Sequence, residues 1–97
     1  MKKQEIFDYI DKAAVRYNTV NYKHSGTKKR ITGLEIGESV ILVFEKDTVD
    51  TCGSIYYCGD PKKLGAKELV KVTKENRGVY GMEITPVDQI QPGKTYR

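Results

Sequence analysis

Three side chains in this 97-residue sequence have the chemistry to ligate a soft metal or to form a nucleophile–base pair: His24, Cys52 and Cys58. The cysteines are six apart. On a helix that spacing turns about 600° and separates the thiols by about 9 Å along the axis. On a strand they share a face but lie about 20 Å apart. A disulfide needs Cα atoms within about 7 Å, so two free, part-buried thiols in a reducing compartment are expected. Zinc takes four ligands, usually in close pairs such as Cys-x2-Cys, and three loosely spaced candidates do not make that set. The expectation is no metal and no cofactor.

The rest of the catalytic inventory is thin. Gly33-Leu34-Glu35-Ile36-Gly37 has two glycines but no following Lys-Ser or Lys-Thr to make a phosphate loop. There is no Gly-x-Ser-x-Gly, and His24 would meet Cys52 or Cys58 only through the fold. Glu45 with Asp47 reads as solvated charge at a strand end. The chain is expected not to be an enzyme.

Charge is more informative. Residues 1–30 carry eight basic and three acidic side chains, residues 31–60 one and six, and residues 61–97 eight and four, which sums to the net +4. A basic first and last third around an acidic middle suits a molecule with two electrostatic faces, one of them fit for a polyanion. The densest cationic cluster is Tyr22-Lys23-His24 followed by Lys28-Lys29-Arg30. Cations neutralise phosphates, and an interleaved aromatic ring stacks on a base. A second group is Lys71, Lys74 and Arg77, spaced along a strand and turn that a two-stranded ribbon would present to a groove. Tyr22, Lys23, His24, Lys28, Lys29, Arg30, Lys71, Lys74 and Arg77 are therefore the candidate nucleic-acid contacts. The plain counter-reading is that these lysines keep a small domain soluble.

The elements that must carry these residues can be read in part. Over residues 4–17, Ile6, Ile10, Ala13 and Tyr17 recur at helical spacing, with Phe7 and Ala14 flanking the stripe and Asn18 as a stop. Residues 18–30 read as irregular or as a hairpin turning at Ser25-Gly26, with 19–22 pairing 27–31; a mobile basic loop competes. Ile31, Leu34 and Ile36 lead to a Gly37-Glu38 turn. The run Val40-Ile41-Leu42-Val43-Phe44 lacks alternation and predicts a central strand covered on both faces. Residues 47–59 are ambiguous: the capping signals and a Val49, Cys52, Gly53, Tyr56 face favour a short helix slightly, whereas Ile55-Tyr56-Tyr57 favours strand. Residues 67–85 predict a β-hairpin turning at Glu75-Asn76-Arg77-Gly78, and Pro86 ends it. The remainder to residue 97 is a loose or docked tail.

The stretch Leu34-Glu35-Ile36-Gly37-Glu38-Ser39-Val40, a short segment from Thr48 and a hairpin closing on 79–84 resemble small single-domain accessory proteins of bacterial phages and mobile elements. The resemblance covers residues 31–85 and implies binding to DNA or to another protein. It assigns no functional residue, and Asp50 stands where that pattern has basic residues.

The chain is thus expected to be a single α+β domain over 1–97: a helix in 1–17, a sheet-forming core in 31–85 and a tail in 86–97. Ile6, Phe7, Ile10, Val40, Leu42, Phe44, Val72, Met82 and Ile84 are its expected core. A five-residue apolar run does not span a bilayer, and Met1-Lys2-Lys3 leads into Gln4 and Glu5, so a cytoplasmic protein with no membrane partner is expected. Two roles follow: a nucleic-acid-binding module for DNA or RNA, or a protein-interaction module of inhibitor or adaptor type. A homodimer through 67–74 as an edge strand is a further expectation.

Overall fold

The computed structural model describes residues 1–18, 24–46 and 48–97, with His24 and Ser25 described by their backbone only. Helices α1 (Lys3–Arg16) and α2 (His24–Thr32) precede strands β1 (Ser39–Glu45), β2 (Thr48–Cys52), β3 (Ile55–Tyr56), β4 (Ala66–Asn76) and β5 (Val79–Pro86). A 3₁₀ turn at Val87–Gln89 and strand β6 (Thr95–Tyr96) follow. The main sheet is antiparallel in the order β2-β1-β4-β5, and β3 pairs with β6 in a small second sheet. The α+β expectation holds. No helix among the described residues is long and apolar enough to cross a membrane.

β1 is the central element. Its five middle residues, 40–44, are all buried, so both faces of the sheet need a cover. On one face, Val40, Leu42 and Phe44 join Val70 and Val72 of β4 and Tyr80 of β5 beneath Ile6, Ile10 and Ala13 of α1. Tyr17 tilts over Phe44 with ring centroids 5.9 Å apart. On the other face, Ile41, Val43 and Leu69 pack with Tyr57, Ala66 and Ile90. The tail is therefore docked: its Ile90 is buried, and the Gly93 N–H donates to the Tyr57 carbonyl at 2.7 Å.

α1 begins where the Glu5 carboxylate accepts the Lys2 N–H at 3.2 Å, half of a capping box. It ends at Asn18, whose φ of 54° is the left-handed stop conformation that asparagine tolerates. The β4–β5 hairpin turns as expected, with Gly78 at φ 69°. The open edge of β5 is clasped at one point: the Met1 ammonium donates to the Tyr80 carbonyl at 2.7 Å, and the Tyr80 N–H donates to the Met1 carbonyl at 2.8 Å.

Four expectations are corrected. Residues 24–32 are helix rather than loop or hairpin arm. Thr27 and Ile31 are buried one turn apart, and Lys28 reaches Asp11 of α1 at 3.0 Å, so packing on α1 overrides the Ser25-Gly26 turn signal. The proposed partner segment 19–22 lies outside the described residues. Second, 48–52 is strand, pairing Ile41 to Cys52 through Glu45 to Thr48. Val49 packs with the helix-side core and Cys52 with the opposite one, the alternation of a strand rather than one helical face. Third, β4 is interior, so 67–74 offers no edge for a homodimer; β2 and β5 are the edges. Fourth, Ile84 is 40% exposed because β5 lies at the margin of the helical cover, whereas Phe7 and Met82, partly buried, pack against the expected core.

Both cysteines are free: Cys52 is half-buried, and Cys58 is exposed rather than part-buried.

Removing the fully buried Ile10 or Phe44 side chain by Ile10→Ala or Phe44→Ala is expected to cost about 2–5 kcal/mol. Ile84→Ala is expected to cost well under that. Urea unfolding with equal losses for Ile10→Ala and Ile84→Ala would contradict this placement of the core.

Candidate nucleic-acid interface

Of the expected contacts that are described, Lys71 and Lys74 fall on opposite faces of the sheet. Tyr22 and Lys23 lie outside the described residues, and His24 opens α2, with only its backbone described. Lys28 is committed to the α1–α2 junction: its ammonium pairs with Asp11 and stands 5.3 Å from the Phe7 ring centroid. Lys29 and Arg30 are exposed in the last turn of α2, where cations also suit the helix dipole. On β4, Lys74 shares parity with Val72 and so belongs to the helix-side face, while Lys71 belongs to the opposite one. Arg77 is exposed in the hairpin turn.

Lys71 instead has partners in the tail. A groove of about 500 Å³ opens between β4–β5 and the docked tail. Its floor is Ile41 and Leu69; Lys71, Glu83 and Thr85 form one wall; Gln89, Lys94, Thr95, Tyr96 and Arg97 form the other. Glu83 stands directly across from Lys71 in the β4–β5 register. Three cationic side chains thus line the groove against one carboxylate side chain. The Tyr96 ring is held in place because its hydroxyl accepts the Gln91 N–H at 2.8 Å, and Lys94 Nζ lies 5.0 Å from the ring centroid. At an exposed site such a cation–π contact is worth about 0.5–1 kcal/mol. The missed signal was Lys94-Thr95-Tyr96-Arg97, a cation–aromatic alternation hidden in a segment with no clear element of its own.

The other polar clusters are structural. Glu68 is 3% exposed on the helix side and accepts from the Tyr9 hydroxyl, which lies 2.8 and 3.0 Å from its two oxygens. Arg16 covers the Tyr9 and Tyr17 rings at 5.8 and 5.4 Å. Burial, then the hydrogen bond to Glu68 and its charge, push the Tyr9 hydroxyl up to about 12. Beneath the second sheet the Tyr57 hydroxyl donates to Glu45 at 3.4 Å, and burial followed by the Glu45 charge pushes it up to about 12 as well. Burial raises the Cys52 thiol too, with the Asp50 charge as the next cause, so it is not an activated thiolate. Among the described residues, no group of three His, Cys, Asp or Glu gathers to hold a metal ion.

Protein-family models, curated proteins and solved structures were compared with the chain, and none matches it.

Burial raises the Tyr17 hydroxyl as well, but Tyr9 and Tyr57, pushed up to about 12, set the alkaline limit to stability. A phenol whose folded pKa lies above its unfolded value of about 10 favours folding fully below pH 10, and that contribution is lost as pH rises from 10 through 12. Phenolate absorbance is expected to show two tyrosines of the folded protein ionising last, with the unfolding midpoint falling over the same window. Tyr9→Phe is expected to remove one late step. Tyrosines that all titrate together near pH 10 in the folded protein would refute this.

Proposed function

We propose that this chain is a nucleic-acid-binding module, not an enzyme, and that its contact surface is the groove between β4–β5 and the tail. The observation that carries the reading is the convergence of Lys71, Lys94 and Arg97 beside the Tyr96 ring on one concave face. Cations gain affinity from phosphates through counterion release, and an aromatic ring gives a base a surface to stack on. The exposed Lys29 and Arg30 belong to the helical layer across the sheet, so they add general attraction rather than part of the same contact. Such a module would suit an accessory protein of the phage or mobile-element type that the 34–40 stretch resembles.

A protein-binding reading has one observation in its favour. Tyr80 turns both main-chain groups away from β4 towards Met1, and Met82 and Ile84 share that outward direction by the two-residue period. The margin of β5 beyond the clasp can therefore accept another strand.

Anisotropy of labelled oligonucleotides at low and rising salt decides between them. Three phosphate contacts give a log–log salt slope of about −2 to −3. Neutralising the set by Lys71→Gln, Lys94→Gln and Arg97→Gln together is expected to remove most of that slope, while Lys29→Gln with Arg30→Gln leaves most of it. Absence of binding to DNA and RNA at low salt would overturn the nucleic-acid reading and leave the β5 edge as the site to test.

A further inference from the structure

The groove is more selective than a basic patch. We infer that it takes single-stranded nucleic acid, with one unpaired base seated over Ile41 and Leu69 against Tyr96, and that Glu83 favours guanine at that position. The inference rests on the nucleic-acid reading above and names the substrate class of the same site.

Three features point to an unpaired base. The first is size: about 500 Å³ falls within the roughly 300–1,000 Å³ that encloses a small molecule. A nucleotide fits such a groove, whereas a duplex keeps its base faces stacked inside and can offer a concavity only its backbone. The second is the apolar floor. Ile41 and Leu69 lie there only 2% and 3% exposed, so the groove bottoms on packed core that offers a phosphate no polar partner. The third is Tyr96, whose ring is oriented in advance by the Gln91 N–H and covered in the free protein by Lys94. A base stacked on the ring replaces a weaker cation–π contact and releases the Lys94 ammonium to a phosphate beside it.

Glu83 then acquires a role. A carboxylate among three cations repels phosphate and offers only acceptors, so what it recognises is a donor, and on a base that donor is an N–H. Guanine presents two adjacent donors, N1–H and N2–H, to its two oxygens, the fork arrangement that makes paired hydrogen bonds strong. Thymine and uracil present one N–H between two carbonyls, whose oxygens oppose the carboxylate. Lys71 stands directly across the β4–β5 pair from Glu83, in reach of the backbone on the same nucleotide.

The test uses the whole chain, a labelled thymidine oligomer, the same oligomer with isolated guanosines, and a duplex of matching length. Single strands are expected to bind more tightly than duplex, and the guanosine-containing strand more tightly than the thymidine strand by about 5-fold or more, the discrimination of a paired contact. Glu83→Gln, an exposed and isosteric change, is expected to abolish the guanosine preference. Tyr96→Leu is expected to weaken single-strand binding by about 5-fold or more while leaving the salt slope unchanged. Duplex binding as tight as single-strand binding would overturn this inference and leave the broader reading standing. A guanosine preference that survives Glu83→Gln would overturn the role of Glu83. No binding to any of the three strands would overturn the nucleic-acid reading itself.

Discussion

The fold depends on a strand that cannot face water on either side. Residues 40–44 of β1 are five consecutive apolar residues, and alternate side chains of a strand point to opposite faces. One cover would leave Ile41 and Val43, or Val40, Leu42 and Phe44, in solvent. β2 and β4 satisfy the backbone of β1 on its two sides, α1 and α2 close one face, and the 3₁₀ turn, the short β3–β6 sheet and the chain between β3 and β4 close the other. In a chain of 97 residues both covers are thin, and each uses residues that carry little element signal of their own.

The second cover is also what creates the groove. It closes over Ile41, Val43 and Leu69 near Tyr57 and Ile90 but stops short of the strip where Lys71, Glu83 and Thr85 stand beside the tail. Position along the sheet therefore decides which polar side chains are spent and which are free. Glu45 and Glu68, nearer the far end of β1 and β4, receive tyrosine hydroxyls. Lys71 and Glu83, towards the hairpin, line open space. Glu83 and three cations, all from the basic last third of the sequence, share one concavity.

The sequence disclosed the strong periodicities and missed what packing decides. α1, the doubly covered β1 and the β4–β5 hairpin were legible because Ile6-x3-Ile10, the unbroken 40–44 run and the Tyr80, Met82, Ile84 alternation are local patterns. α2 was not: Thr27 is polar and Gly26 disfavours helix, so its helical state rests on Ile31 in the core and on the Lys28–Asp11 pair. The 48–52 segment carried capping residues that suit a helix, yet pairing with β1 prevailed. Of the candidate site only Lys71 was named in advance, because Lys94, Tyr96 and Arg97 reach it through a tail whose fold depends on Ile90 and Gly93 finding Tyr57. Lys28 stands out in the sequence by charge alone, and charge alone cannot tell a spent lysine from a free one.

The clasp between Met1 and Tyr80 joins residues 79 positions apart, and that span sets an order on assembly during translation. The helix whose Ile6, Ile10 and Ala13 must be covered is made first, while the β4–β5 ribbon that completes its cover follows only after β1, β2 and β3. At about 5–20 residues per second, the apolar stripe of α1 waits roughly 4–16 seconds for its counterpart. Over that interval the helix has only Ile31, Leu34 and the β1 residues Val40, Leu42 and Phe44 of its core to lie on. Apolar surface exposed in this way is prone to aggregate, and a slowed ribosome between β1 and β5 prolongs the exposure.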